Sequence, residues 1–176
     1  MINLLTISRV FLLLPLAWLM LGGEKSWSVV ALFIIAGLTD FLDGFLARRL
    51  GKTSTFGALL DQICDKIFII GILVLMVAAG YLQQWMLGPV LLIIAREFAV
   101  AGLREYAAQQ KKNIPVDKLG KIKTAMQFLA ITLMLLPAAC HFCVILNHAG
   151  AVLLWLAAAM GIYSAARYFS AVKSPE

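Results

Sequence analysis

Four aspartates lie close together in a chain that is otherwise strongly apolar. The stretch TDFLDGFLARRLGKTSTFGALLDQICDK, residues 39–66, contains Asp40, Asp43, Asp61 and Asp65. The first two are spaced i,i+3 and the last two i,i+4, so each pair falls on one face of a helix. Two antiparallel helices joined by the short segment between the pairs would point both faces at one site. The spacing therefore predicts a cluster of four carboxylates.

Such a cluster needs cations. An aspartate at the centre of a membrane helix costs ~2.5–3.5 kcal/mol, and neighbouring carboxylates repel one another. Arg48 and Lys66 can balance two of the four charges at most. A site built only of carboxylate oxygens favours hard divalent ions. We therefore expect the aspartates to be metal ligands for Mg²⁺ or Mn²⁺, as a pair of ions, with a chemistry suited to phosphates.

The elements that carry these residues have the composition of membrane helices. Of 176 residues, 62% are hydrophobic and 14% charged, whereas a soluble domain is about half apolar. A membrane helix needs ~20 apolar residues, and backbone in lipid must satisfy its own hydrogen bonds. We predict an all-α, polytopic integral membrane protein, one domain over residues 1–176, with six transmembrane helices. The apolar runs are roughly Leu4–Leu21, Trp27–Leu46, Phe56–Ala79, Trp85–Ala108, Lys121–Ala139 and Ala149–Ala166.

Basic residues are concentrated on one side of this topology, where they follow the second and fourth runs and the end of the sixth. They include Arg48, Arg49, Lys52, Lys111, Lys112, Lys118, Lys121, Lys123, Arg167 and Lys173. The opposite side has only Lys25. The positive-inside rule then predicts that both termini and the acidic site face the cytoplasm of a bacterial-type cell membrane. Attraction to anionic lipid accounts for the same charges.

Two other roles are open to the aspartates. They could be structural, salt-bridged carboxylates, or they could line a proton or cation pathway. A transporter would continue the polar residues across the membrane, but the stretches 29–38 and 67–77 are almost wholly apolar. The interleaved small residues Gly44, Ala47 and Gly57 either let helices pack closely or leave room for a bulky head group.

The whole pattern resembles a known family signature. Asp40-x2-Asp43-Gly44-x2-Ala47-Arg48-x8-Gly57-x3-Asp61-x3-Asp65 matches the complete motif of the CDP-alcohol phosphatidyltransferases. The start, Asn3 to Arg9, is similar to the segment that helps to hold the cytidine in many members. The stretches Ala95–Glu105 and Lys118–Ala125 resemble the branch that uses glycerol 3-phosphate as acceptor.

The resemblance implies a fold, a reaction and partners. The fold is the six-helix CDP-alcohol phosphotransferase fold in the membrane, usually as a homodimer. The reaction transfers the phosphatidyl group of CDP-diacylglycerol to an alcohol and releases CMP, with divalent metal at a site open to the cytoplasmic leaflet. In the branch resembled here the acceptor is glycerol 3-phosphate and the product serves phospholipid biosynthesis. Serine, inositol phosphate or phosphatidylglycerol stay open as acceptors, and no nucleic-acid partner is expected.

Roles for individual residues follow from the same motif. The last aspartate of the signature, Asp65, is expected to be the catalytic base, and it either reaches the second metal ion or stands just beyond it. Arg48 suits bidentate contact with the donor phosphate, and the glycines leave room for the nucleotide. The residues expected to bind CDP-diacylglycerol are Asn3, Thr6, Asp40, Gly44, Ala47, Arg48 and Gly57.

A cationic pocket is expected for the acceptor, because glycerol 3-phosphate brings a dianion. The candidate residues are Arg96, Arg104, Lys118, Lys121 and Lys123. For any single lysine, a contribution to topology alone is an equal alternative, whereas the pocket is the preferred interpretation for Arg104 and Lys121. Arg96 precedes Glu97 directly, so it either contacts the acceptor or forms a buried pair that holds its helix.

Overall fold

The computed structural model describes the backbone of residues 2–23, 25–49, 55–110, 118–140 and 144–173. Side chains are described for residues 8–23, 25–39, 57, 59–110, 120, 122–136 and 144–171. Within these ranges all regular structure is helical, as predicted. The helices are α1 (Ile2–Leu21), α2 (Trp27–Arg49), α3 (Thr55–Ala78), α4 (Leu87–Gln109), α5 (Lys118–Cys140) and α6 (Val144–Lys173), with a short 3₁₀ helix at Gln84–Met86 before α4.

The predicted apolar runs locate all six helices, but the ends of most helices differ from those of the runs. The largest difference is at α6, which begins at Val144 instead of Ala149 and continues to Lys173. Its first turns include polar residues, and His148 Nδ1 lies 2.9 Å from the carbonyl oxygen of Val144. A helix can continue through such residues because its backbone hydrogen bonds do not depend on side-chain polarity. Hydrophobicity therefore marks the segment but not its ends.

The helices pack in a closed ring. Close backbone contacts run from α1 to α3, α4, α6, α5 and α2, which returns to α1. Helix α1 thus packs directly against both helices that carry the aspartates. Helices α2 and α3 also meet through side chains, because Phe33 stacks on Phe68 with ring centroids 5.9 Å apart. This arrangement makes α1 the natural source of groups that face the acidic pairs.

Aromatic stacking fills the space between α2, α3 and α5. Phe33 is fully buried, and its ring lies 4.6 Å from that of Phe128, centroid to centroid. Gly37 makes this packing possible, since a Cβ at that position would lie 2.2 Å from Phe128 Cε2. Burial of aromatic side chains is among the largest apolar contributions to stability. The three stacked rings therefore contribute a large part of the apolar packing between these helices.

The outer surface is apolar on every helix. Trp18 is 83% exposed and Ile145 is 83% exposed, and large exposed apolar surfaces in a helical protein indicate contact with lipid. Two helices of the described part are long and apolar enough to cross a membrane, Gln84–Gln109 with 26 residues and Val144–Ala171 with 28. These features are consistent with integration into a membrane, and the full set of six spans stays a prediction.

Two of the turns depend on glycine. Gly23 follows α1 with a φ of 84° and Gly80 follows α3 with a φ of 70°, a region that other residues rarely adopt. From the sequence, Gly22-Gly23 predicts the first of these turns. The segments Gly51–Thr55 and Asn113–Pro115 also have turn residues, and they lie wholly or largely outside the described residues.

Candidate active site

Two of the four predicted carboxylates are described, and they face one buried arginine. Asp61 and Asp65 lie one turn apart on α3. Arg9 of α1 places Nη2 3.7 Å from Asp61 Oδ1 and Nη1 3.5 Å from Asp65 Oδ1. The two aspartate side chains are 55% and 44% exposed, while that of Arg9 is 2% exposed. The carboxylates therefore keep faces open to a ligand while a fixed cation approaches them from behind.

The pairing of Arg9 with the aspartates was not predicted from the sequence. The acidic segment itself predicts charge balance from Arg48 and Lys66, both inside it. Arg9 comes from another helix, some fifty residues earlier in the chain. A signal was available, because Arg9 is the one charged residue in the apolar run Leu4–Leu21. Ionisable residues inside membrane segments are rare and almost always paired, so such a residue calls for a carboxylate partner.

A cavity opens beside this ion pair. It has a volume of about 290 Å³ and lies between α1, α2, α3 and α5. Arg9, Asp65 and Thr124 supply its polar lining, and Gly37, Ile69 and the rings of Phe68 and Phe128 supply much of its apolar lining. A cavity with one charged end and apolar walls suits a ligand that combines a polar head with hydrocarbon.

The other two aspartates fall on α2, whose backbone is described to Arg49. The side chains of Asp40 and Asp43 lie outside the described residues, so the predicted four-carboxylate cluster stays a prediction. Among the described side chains, no three His, Cys, Asp or Glu residues come together as a metal site. The carboxylates of Asp61 and Asp65 supply oxygen atoms of the kind that Mg²⁺ and Mn²⁺ prefer as ligands.

A second charged cluster is buried between α4, α5 and α6. Glu97 accepts a hydrogen bond from Arg96 Nη1 at 2.9 Å, and Lys123 Nζ is in ion-pair contact with the same carboxylate oxygen. All three residues are at most 9% exposed. Of the two alternatives for Arg96, the structure shows the buried pair with Glu97. Lys123, predicted as an acceptor ligand, is paired with Glu97 as well.

Arg104 lies about two turns after Arg96 on α4. Its Nη2 donates to the hydroxyl of Tyr168 at 3.3 Å, and its guanidinium carbon lies 5.5 Å from the centre of the Tyr168 ring. The side chains of Lys118 and Lys121 lie outside the described residues. So do those of Asn3, Thr6, Gly44, Ala47 and Arg48, whereas Gly57 is described on α3 and is partly buried. Their predicted roles stay predictions.

The two clusters adjoin each other. Lys123 lies within electrostatic reach of Asp65, and the next residue, Thr124, lines the cavity beside Asp65. Lys66 is within electrostatic reach of Glu97, Arg96 and Arg104. The second cluster therefore approaches Asp65 of α3 through residues of α5.

Replacement of the buried arginine tests its role as the fixed counter-ion. Arg9→Met retains length and apolar contacts but removes the guanidinium that contacts both Asp61 and Asp65. We expect a loss of about 2 kcal/mol in the free energy of unfolding, seen as a lower thermal midpoint in detergent. In the Arg9→Met, Asp65→Asn double variant the loss should be smaller, because one of the two carboxylates that repel each other has been neutralised.

A control is Lys25→Met, which removes an exposed cation from the loop after α1, 5.7 Å from the centre of the Tyr81 ring. It should change the free energy of unfolding by no more than about 1 kcal/mol. An Arg9→Met protein that melts with the wild type would contradict the counter-ion role.

Comparison with known proteins identifies the family. The sequence profile of the family described as CDP-alcohol phosphatidyltransferase matches residues 1–163. The CDP-diacylglycerol–glycerol-3-phosphate 3-phosphatidyltransferase of Rickettsia felis is 34% identical over 173 residues, which is 97% of this chain and 94% of that protein. The enzyme of the same name from Escherichia coli is 34% identical over 177 residues, covering 98% and 94%.

The fold also has a solved counterpart. The apo crystal structure of Mycobacterium tuberculosis phosphatidylinositol phosphate synthase superposes with a TM-score of 0.71 over 98% of this chain and 88% of that one, at 18% sequence identity. This likeness shows the fold alone. Because the family profile covers nearly the whole chain and full-length relatives share a third of its residues, the chain belongs to the CDP-alcohol phosphatidyltransferase family.

Proposed function

We propose that this protein transfers the phosphatidyl group of CDP-diacylglycerol to glycerol 3-phosphate, giving phosphatidylglycerophosphate and CMP in phospholipid biosynthesis. The observation that carries the proposal is the match over 98% of the chain to the Escherichia coli enzyme named for this reaction. The pairing of Arg9 with Asp61 and Asp65, beside a cavity with apolar walls, supports a reaction on a lipid-linked phosphate.

The chain's own residues can perform the transfer with few steps. The acceptor hydroxyl attacks the phosphorus that bears the diacylglycerol, and the bond from that phosphorus to the CMP oxygen breaks. The acceptor proton passes to Asp65, whose carboxylate is 44% exposed and can meet an incoming alcohol. Arg9 holds the same carboxylate from its buried side, which orients it toward the cavity. Phosphoryl transfer of this kind depends mainly on positioning and charge stabilisation.

A pair of divalent ions, Mg²⁺ or Mn²⁺, fits the donor set. Asp61 and Asp65 share one face of α3, have exposed oxygens and offer only hard ligands, and Asp40 and Asp43 are proposed to complete the set. When bound, the ions would neutralise the pyrophosphate and stabilise the leaving CMP.

Substrate binding and placement in the membrane complete the proposal. Asn3, Thr6, Asp40, Gly44, Ala47, Arg48 and Gly57 are proposed to hold the donor. Arg104, Lys118, Lys121 and Lys123 are proposed to receive the acceptor phosphate, with Arg96 acting through Glu97. The chain is proposed to form one domain of six spans, to act as a homodimer, and to keep its termini and site on the cytoplasmic side, where the basic residues lie.

The choice of acceptor can be measured directly. Purified protein in mixed micelles with CDP-diacylglycerol should release CMP fastest with glycerol 3-phosphate, because its dianion matches the basic residues of α4 and α5. Serine, inositol phosphate and phosphatidylglycerol should each be at least about tenfold slower. A higher rate with any of these three would overturn the proposed acceptor. Ion flux into proteoliposomes without any CMP would instead favour a transporter.

The role of Asp65 has a separate test. Asp65→Asn keeps the shape of the side chain but removes its capacity to accept a proton, so kcat should fall by about 10²–10⁴. Binding of CDP-diacylglycerol, measured by equilibrium binding in the same micelles, should be largely retained. Turnover within a factor of three of the wild type would exclude Asp65 as the base.

A further inference from the structure

Glu97 occupies an unusual position for a carboxylate in an apolar bundle. It is 9% exposed, and it lies between two cations that reach it from different directions. Arg96 belongs to the same helix, α4, while Lys123 comes from α5. A buried anion with two paired cations is expensive to assemble, and such groups persist where they fix geometry.

Arg96 is fixed on all three of its nitrogens. Its Nε donates to the carbonyl oxygen of Gly161 at 3.3 Å, Nη1 to Glu97 at 2.9 Å and Nη2 to the hydroxyl of Ser164 at 3.5 Å. Two of these partners belong to α6. Arg96 therefore ties α4 to α6 and holds the Glu97 carboxylate in one orientation.

Lys123 is the cation at the end of this chain of contacts. An ammonium carries three N–H donors, so contact with one carboxylate oxygen leaves capacity for a phosphate. Its neighbour Thr124 lines the cavity beside Asp65. The Glu97 carboxylate thus fixes a lysine at the edge of the proposed reaction site.

Helix α6 contacts Arg104 as well as Arg96. Gly161, Ser164 and Tyr168 have the spacing i, i+3, i+7, which places them on one face of the helix. The first two contact Arg96, and Tyr168 contacts Arg104 through its hydroxyl and its ring. One face of α6 therefore holds both arginines of α4.

The charge of the group matches a dianion. Arg96, Arg104 and Lys123 are cations and Glu97 is the one carboxylate in contact with them among the described residues. Two positive charges remain in excess, and Lys66 lies within electrostatic reach. The excess of the cluster is therefore equal and opposite to the charge of a doubly charged phosphate.

We propose that Glu97 and Tyr168 are positioning residues that set the affinity for a phosphorylated acceptor, Glu97 by fixing Lys123 and Tyr168 by fixing Arg104. This inference rests on the proposed function, since it takes glycerol 3-phosphate as the ligand of those two cations. Neither residue touches the reacting atoms.

Two variants and a control test the proposal. Glu97→Gln keeps the side-chain shape and removes the charge that holds Lys123; the KM for glycerol 3-phosphate should rise about tenfold. Tyr168→Phe keeps the ring and removes the hydroxyl; the KM should rise about threefold. The KM for CDP-diacylglycerol and kcat at saturating acceptor should stay within a factor of two. Glu105→Gln, which removes an exposed carboxylate from the same helix, should change none of these values.

The outcomes separate this inference from the proposed function. Wild-type protein that prefers another acceptor would overturn both. Wild-type protein that prefers glycerol 3-phosphate, with variants whose KM for it is unchanged or lowered, would overturn the positioning role alone; a lowered KM would mean that Glu97 competes with the phosphate. A lower kcat together with similar increases in the KM values of both substrates would indicate a purely structural role, and this result would also overturn the positioning role. If Glu97→Gln does not fold, the Tyr168→Phe result decides.

Discussion

The fold depends on the need to hold carboxylates inside a bundle whose surface faces hydrocarbon. Asp61 and Asp65 would repel each other and be poorly solvated in such a place. The buried guanidinium of Arg9, 3.5 Å and 3.7 Å from them, supplies one fixed positive charge. Arg9 lies on α1, the helix that packs against both α2 and α3. The divalent ions we propose would supply the remaining positive charge only when they are bound, so the site can be both stable and able to exchange ligands.

The same principle is used twice in the molecule. On α3 a buried arginine holds two exposed carboxylates, whereas on α4 and α5 a buried carboxylate, Glu97, holds two cations. In both places the residue that orients the others is almost completely buried. Arg9 reaches α3 from α1, and Glu97 of α4 contacts Lys123 of α5. The first cluster suits metal and pyrophosphate, the second suits an acceptor phosphate, and the cavity of about 290 Å³ lies against the first. In the proposed function, donor chemistry and acceptor recognition therefore depend on different helices.

Much of this could be predicted from local patterns. Apolar runs located six helices, and the spacing of Asp61 and Asp65 placed them on one face, because both features depend on residues that are near in sequence. What escaped prediction depends on contacts between distant helices. The pairing of Arg9 with α3 and of Glu97 with Lys123 requires the ring order of the helices, which hydrophobicity does not encode. Helix ends, such as that of α6 at Val144, also escaped, since backbone hydrogen bonds continue through polar residues.

The most direct test of the account is whether the carboxylates hold divalent ions that the reaction needs. Purified protein would be stripped of metal with a chelator, then titrated with Mn²⁺ while bound ion is counted by electron paramagnetic resonance and CMP release is followed. We predict that stripped protein makes no CMP, that activity returns in step with bound Mn²⁺, and that Asp61→Asn weakens Mn²⁺ binding by at least about tenfold. Metal-depleted protein that releases CMP at the full rate would contradict the account.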